Sequence, residues 1–409
     1  MATMYPFRAL RPHSAEAARI AAPPYDVVST DEARTLAEGN PLSFLRVSRA
    51  EVELPPGTDP YSKGVYDRAA ANFMRLREAA LVLEAEPSTY LYRLQMGGHE
   101  QTGVAACFSL EEYDRNIIKK HERTRRDKED DRTRHMLALG AQTGPVFLTY
   151  HASHEINAIA RRVASCTPLY DFNADDGVRH TIWRAQPEET TWLVALFGRV
   201  PSVYIADGHH RAASAARARD EIRQSESSRH PPGEDADFTT VLAVAFPHDQ
   251  VQILPYNRVV RDLAGLGDQD FLRRVSERFE VRPGTAVAGR RGEIGMYFQG
   301  AWSILVPRAR SEADLVASLD VSVLQDALLA PILEIEDVRT SKRIDFVGGS
   351  RGARELERLV DSGEASAAFS MFPVSVADLM AVSDAGAILP PKSTWFEPKL
   401  RDGLLIHLI

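Results

Sequence analysis

Apolar residues recur along this chain at two spacings, every second position in some stretches and every third or fourth in others, so strands and helices are predicted side by side. The period of two is clearest in Tyr90–Met96 and 103–110, and the glycines of Gly97-Gly98-His99-Glu100 between them suit a tight hairpin turn. Short apolar runs predict further strands at 145–150, 203–206 and 240–246. Helical spacing predicts helices over 61–80, 127–139, 211–224 and 268–279. The polar, proline-broken stretch between Gln224 and Asp237 reads as an exposed loop or insertion.

One transition stands out. The apolar run from Ser202 stops at Asp207-Gly208-His209-His210-Arg211 and continues into an alanine-rich segment, which predicts strand, tight turn and helix. The first amides of a helix are unpaired and carry the positive end of its dipole, so such a turn favours an anion, phosphate above all. Arg211 and the two histidines add donors there. A metal site from His209, His210 and Asp207 is disfavoured, because sequence neighbours seldom point at one ion and Arg211 opposes a cation.

Composition narrows the classes. No apolar run approaches eighteen residues, so a membrane span is not expected, and residues 1–22 lack the apolar block of a secretory signal. Two cysteines, Cys107 and Cys166, are too few for a disulfide framework or a cysteine zinc site. A cytoplasmic protein is the simplest expectation. The net charge of -8 argues against broad nucleic-acid binding.

Four further segments carry reactive side chains. In Ala22–Ser29 two prolines hold the backbone extended and present Tyr25 and Asp26, with Ser29 or Thr30 as a cap for a helix starting near Asp31. In Lys119–Arg126 one carboxylate, Glu122, lies within a cationic run that favours its ionised form, fit to accept the proton of an attacking hydroxyl. The plainer reading of that run, with the acidic 127–131 after it, is a solvated helix face. Asn257 and Arg258, at a strand end, are candidates for a small polar ligand or simply for a turn. Lys392, Ser393 and Thr394 follow two prolines and offer an ammonium and two hydroxyls to a phosphate, with Lys399 beyond, but without the glycines of a P-loop. No G-x-G-x-x-G follows a strand, no G-x-S-x-G elbow occurs, and His121-Glu122 lacks the second histidine of H-E-x-x-H.

Pro6–Pro12, Pro23–Ser29, Lys120–Thr124, Ala206–Arg211, Leu254–Arg258 and Pro391–Leu400 resemble, in order, the signature segments of a bacterial family described only as a domain of unknown function. That family is similar to the free-serine kinases of the ParB/sulfiredoxin-like superfamily. The resemblance implies an α/β (α+β) protein with a mixed-sheet core. It implies transfer of a phosphoryl group from pyrophosphate, ADP or ATP, with Mg2+, to the hydroxyl of free L-serine. Carried over, Glu122 of the His121-Glu122 pair is the base, and Asp207, Gly208, His209, His210 and Arg211 form the phosphate-binding turn, with Asp207 as the magnesium ligand. Lys392, Ser393 and Thr394 are placed in the same phosphate site by inference, and Tyr25, Asp26, Asn257 and Arg258 are assigned to serine. The expected division is an N-terminal α/β segment at 1–104, the phosphate-binding core at 105–265 and a C-terminal α/β segment at 266–409. Two other readings use the same turn: a non-catalytic nucleotide-sensing regulator, and a phosphatase or nucleotide hydrolase.

Overall fold

The computed structural model describes residues 1–226, 237–309 and 314–409, so most of the loop expected between Gln224 and Asp237 lies outside the described residues. The chain is α/β with a mixed parallel and antiparallel sheet. It divides into two compact units, Met1–Val251 with Pro398–Ile409, and Gln252–Glu397. This differs from the three segments expected. Position 105 falls inside the strand His99–Ser109, which pairs on one side with Tyr90–Met96 from the expected N-terminal segment. Residues 398–409 return to the first unit, for example through His407–Leu408 paired with Ala141–Gln142.

The first unit is built on a nine-stranded sheet. Its order is Ile118–Lys119, Val203–Asp207, Val146–Tyr150, Thr240–Pro247, His99–Ser109, Tyr90–Met96, Arg179–Arg184 and Tyr170–Asn173, with Met4–Tyr5 paired on His99–Ser109. Two pairings are parallel, Val203–Asp207 with Ile118–Lys119 and Thr240–Pro247 with Val146–Tyr150. The hairpin turn is tighter than expected: Met96 pairs with His99, so Gly97-Gly98 alone makes the turn, and Gly97 takes the left-handed conformation that a two-residue loop of this kind needs.

Against this sheet lies the helix His209–Glu226. Ala212, Ala215, Ala216 and Ala218 are buried in one core cluster with Val146, Leu148 and Ile205. Small side chains on that face let the helix axis come close to the strands. A second helix, Arg126–Leu139, is bound to it by Ser214 Oγ donating to the Glu129 carbonyl at 3.2 Å and by Arg217 paired with Glu129 at 3.3 Å.

The second unit carries a six-stranded sheet, wholly antiparallel, in the order Phe279–Pro283, Ala301–Pro307, Ile294–Phe298, Ala367–Met371, Tyr256–Val260 and Ile344–Gly348. Leu356 of the helix Gly352–Asp361 packs with Val259, Val347 and Ala368 in its core. Asn257 and Arg258, expected at a strand end, lie within the strand Tyr256–Val260, and the preceding strand Gln252–Leu254 belongs to a different sheet. Among the described residues no helix is long and apolar enough to cross a membrane.

Close packing in the first sheet has a checkable cost. A β-carbon at Gly103 would meet Val244 Cγ1 at 2.7 Å and the Ala245 carbonyl oxygen at 2.9 Å. Gly103→Ala is expected to lower unfolding stability by about 1–3 kcal/mol, as overpacking of a filled core does. A urea unfolding midpoint equal to wild type would show that the strands part freely at this point.

Candidate functional site

The strand Val203–Asp207 delivers the turn through an irregularity. Ile205 pairs with Leu148 and Asp207 with Phe147, leaving Ala206 as an extra residue, a bulge that changes the direction of the chain just before the acid. Gly208 follows at φ +95, a conformation that favours glycine, and a β-carbon there would also press on Arg211 Nε at 3.2 Å. The helix begins at His209, two residues earlier than the spacing suggested, and its first bond runs from the Ala212 amide to the Gly208 carbonyl at 3.0 Å. Its open amide end is therefore the histidine pair itself.

Each histidine accepts a backbone N–H from the charged segment. The His121 amide donates to His209 Nε2 at 3.4 Å, and the Arg125 amide donates to His210 Nε2 at 3.0 Å. Lys120–Arg125 is thus an irregular connection between the strand Ile118–Lys119 and the helix Arg126–Leu139, and not the helix face that its alternating charges suggested; only 126–139 is helical.

Glu122 is brought in by the same contacts. Its Oε2 lies 3.7 Å from His209 Nδ1, with the side chain 43% exposed. Burial pushes His209 well below the usual imidazole range, with His121 and His210 adding to the effect. His209 is therefore neutral near pH 7. Because Nε2 accepts an amide, the ring proton is on Nδ1, the nitrogen facing Glu122. His121 is 2% exposed, and its ring meets that of His209 edge-on at 4.4 Å. Burial pushes it down to about 4, against the opposing pull of Asp207 and the Ile205 backbone. Neither of its ring nitrogens has a hydrogen-bond partner of proper geometry.

Asp207 and Arg211 form the inner face. Burial alone would raise the Asp207 carboxyl, but Lys399 at 3.4 Å and Arg211 at 3.5 Å hold it well below the usual range. Arg211 is 8% exposed and donates through Nη1 to the Pro145 carbonyl. Its terminal nitrogens thus brace the turn from within, while Nε has no partner. The helix dipole and the backbone of the turn, rather than an outstretched arginine, make the anion-favouring end.

Tyr25 is buried under the Arg132 guanidinium, which lies 4.0 Å from its ring centroid, and its carbonyl accepts from Arg49 at 3.1 Å. Asp26 is exposed, and its charge acts on His210 and Arg211, which brings this segment electrostatically to the turn. Ser29 caps the helix Thr30–Ala37 in a capping box with Glu32. Tyr25, Arg132 and Arg211 line a cleft with Ser48, Gly144 and Asp402. Asp402, unmarked in the sequence reading, is 4% exposed, and burial pushes its carboxyl up to about 7 despite the opposing charges of Arg211 and Arg132. A β-carbon at Gly144 would fall 2.3 Å from Asp402 Oδ1, so this glycine makes the room for the acid.

The remaining expected residues belong to the second unit. There Asn257 accepts the Met371 amide at 3.0 Å, and Arg258, 3% exposed, donates to the Lys392 carbonyl at 3.0 Å and to the Tyr256 carbonyl. Burial lowers Arg258 to about 10. Ser393 donates to the Pro390 carbonyl at 2.6 Å, while exposed Lys392 lies over the Tyr256 ring at 5.6 Å, and Thr394 is half-buried. These contacts tie the Pro390–Thr394 turn to its neighbouring strand.

Residues 4–322 match the family described as "Protein of unknown function (DUF1015)". The chain belongs to the DUF1015 family. No curated protein matches its sequence. Among solved structures it is similar to a free serine kinase in complex with AMP, at 15% identity and a TM-score of 0.39 over 74% of this chain and 92% of that one. It is also similar to C-terminally truncated SbnI from Staphylococcus aureus, at 12% identity and a TM-score of 0.40 over 74% and 87%. A conserved hypothetical protein from Pyrococcus furiosus matches at 14% identity and a TM-score of 0.37 over 74% and 95%.

Magnesium was expected at Asp207. In this DUF1015 protein the Asp207 Oδ2 already faces Lys399 and Arg211, which leaves a cation at most the other oxygen, and among the described residues Asp207 belongs to no cluster of metal-ligating side chains. The residues thus do not fit a protein-held magnesium ion. A different trio, His121, Glu122 and His209, brings ligand atoms within 4.8 Å of one another, a nitrogen-rich set that suits borderline metals better than magnesium. Its sequence signal was the His-Glu pair, but the third member comes from a distant segment.

The raised Asp402 carboxyl gives this DUF1015 fold a pH signature. An ordinary aspartate in the unfolded chain titrates near 3.8, while the folded state holds its proton to about 7. Below 3.8 both states are protonated; as pH rises towards 7 the unfolded chain alone releases the proton, so folding stability falls through this window and levels off above it. The stability of wild type relative to Asp402→Asn is expected to fall by on the order of 3 kcal/mol between pH 4 and 7. A difference in urea unfolding free energy that stays constant with pH would show that Asp402 ionises normally.

Proposed function

We infer that this protein is a phosphotransferase that moves a phosphoryl group from pyrophosphate, ADP or ATP to the hydroxyl of free L-serine. The observation that carries this reading is the double contact of the histidines. It sets a half-exposed carboxylate, Glu122, beside the open amide end of a long helix. Phosphoryl transfer asks mainly for that combination, an electropositive cradle for the donor and one group to receive a proton.

In the proposed reaction the donor's terminal phosphate rests against the Gly208–His209 amides. The serine hydroxyl oxygen forms a bond to phosphorus as the bridging P–O bond breaks, and Glu122 takes the hydroxyl proton. Neutral His209, with its proton on Nδ1, orients Glu122 without cancelling its charge. His121 closes the apolar side behind it. Asp207, neutralised by Lys399 and Arg211, holds the turn without repelling the donor.

The test is incubation with magnesium, L-serine and each donor in turn, followed by mass-spectrometric detection of phosphoserine. Formation from at least one donor is expected. Phosphate release that does not need serine would move the reading to a hydrolase, and no turnover of any donor would end it. Glu122→Gln is expected to lower kcat about 100- to 10,000-fold while donor affinity holds; wild-type turnover would make Glu122 a bystander.

A further inference from the structure

The cleft around Asp402 has chemistry that the proposed reaction does not yet use. Counting its open mouth, it encloses about 470 Å³ of empty space. Its lining carries both signs of charge: the guanidinium groups of Arg132 and Arg211, and the carboxyl of Asp402. Two of its polar groups lack partners: Ser48 Oγ and Arg211 Nε are buried with no hydrogen bond. Buried polar groups of native proteins are nearly always paired, so two orphans on one cleft, beside the buried carboxyl of Asp402, point to a ligand that pairs them.

The sign pattern selects the ligand. A phosphate would suit the arginines but would sit against a buried acid. A simple cation would suit Asp402 but would face two guanidinium groups. A molecule with a carboxylate and an ammonium on one carbon satisfies both. Arg132 is already committed in part, to Asp131 at 2.7 Å and to the Tyr25 ring, so it supplies field and wall more than hydrogen bonds. Gly144 keeps the acid's place open, since any side chain there would displace Asp402.

We propose that this cleft binds the head group of a free α-amino acid, with its ammonium on Asp402 and its carboxylate on Ser48 Oγ and Arg211 Nε. The assignment of serine as that amino acid rests on the kinase reading; the head-group chemistry does not. It also moves acceptor recognition from Asp26, Asn257 and Arg258 to residues that line one cleft of the first unit, where Tyr25 remains part of the wall.

Calorimetric titration of the full chain tests it, using L-serine alone and with ADP present, then glycerate, which lacks the ammonium, and ethanolamine, which lacks the carboxylate. L-serine is expected to bind and each analogue to bind at least about tenfold more weakly, the loss of one charged hydrogen bond. Asp402→Asn is expected to weaken L-serine by a similar factor and Ser48→Ala by several-fold, both with wild-type circular dichroism. No binding of L-serine under either condition overturns the proposal, as does wild-type affinity in both cleft variants. So does glycerate or inorganic phosphate binding as tightly as L-serine and with the same dependence on Ser48. Phosphoserine formation with an unchanged KM for serine in Asp402→Asn would overturn the cleft and leave the kinase standing. Serine binding that depends on Asp402, without phosphoserine from any donor, would do the reverse.

Discussion

Two imidazole nitrogens accepting two backbone N–H groups hold the candidate site together. A segment with three cationic residues, Lys120, Arg123 and Arg125, in its six positions from Lys120 to Arg125 would not settle beside the positive end of a helix on charge alone. It does so because His209 and His210 present lone pairs to the amides of His121 and Arg125. That requires the histidines to be neutral, and burial supplies the neutrality by pushing both below the usual range. The long side chains then point away: Lys120 lies over the Tyr113 ring at 3.9 Å, and Arg125 pairs with Asp127 at 2.8 Å. The acid of the segment, by contrast, is left next to the helix end.

The same economy governs the inner side of the turn. Asp207 carries a full charge in a half-buried place, which would be costly if it stood alone, and Lys399 and Arg211 offset that cost from two directions. Asp402 is more deeply buried and has no ion pair among the described residues, and its proton stays on to a much higher pH. Two aspartates in one unit thus differ because one has cations within about 3.5 Å and the other has only their more distant field.

Much of this was legible in the residues. The glycine pair of the hairpin, the strands at 146–150 and 240–247, and the helices at 63–80 and 126–139 follow from spacing and turn chemistry. The strand-turn-helix around Gly208 was also visible, because acid, glycine and polar residues after an apolar run leave few other conformations. What escaped was set by distant partners. The start of the helix at His209 rather than Arg211 depends on the histidines being buried by other segments. The bulge at Ala206 has no signal, since alanine is ordinary in a strand. The run 119–126 imitated a helical face, and its irregular form depends on amides captured by residues some 85 positions later. Asp402 gave no hint in its own neighbourhood, because its environment is assembled from Tyr25, Arg132, Gly144 and Arg211.

The path of the chain bears on when this site comes into being. The first unit is interrupted after Val251 and resumes at Pro398, and only the resumed stretch brings Lys399 and Asp402. During synthesis, then, the strand, the glycine turn and both histidines emerge long before the cation that answers Asp207. Until the ribosome has passed Lys399 the nascent turn has Arg211 alone for a counter-ion, so the charge balance around Asp207 is completed only after the whole of the second unit has been made.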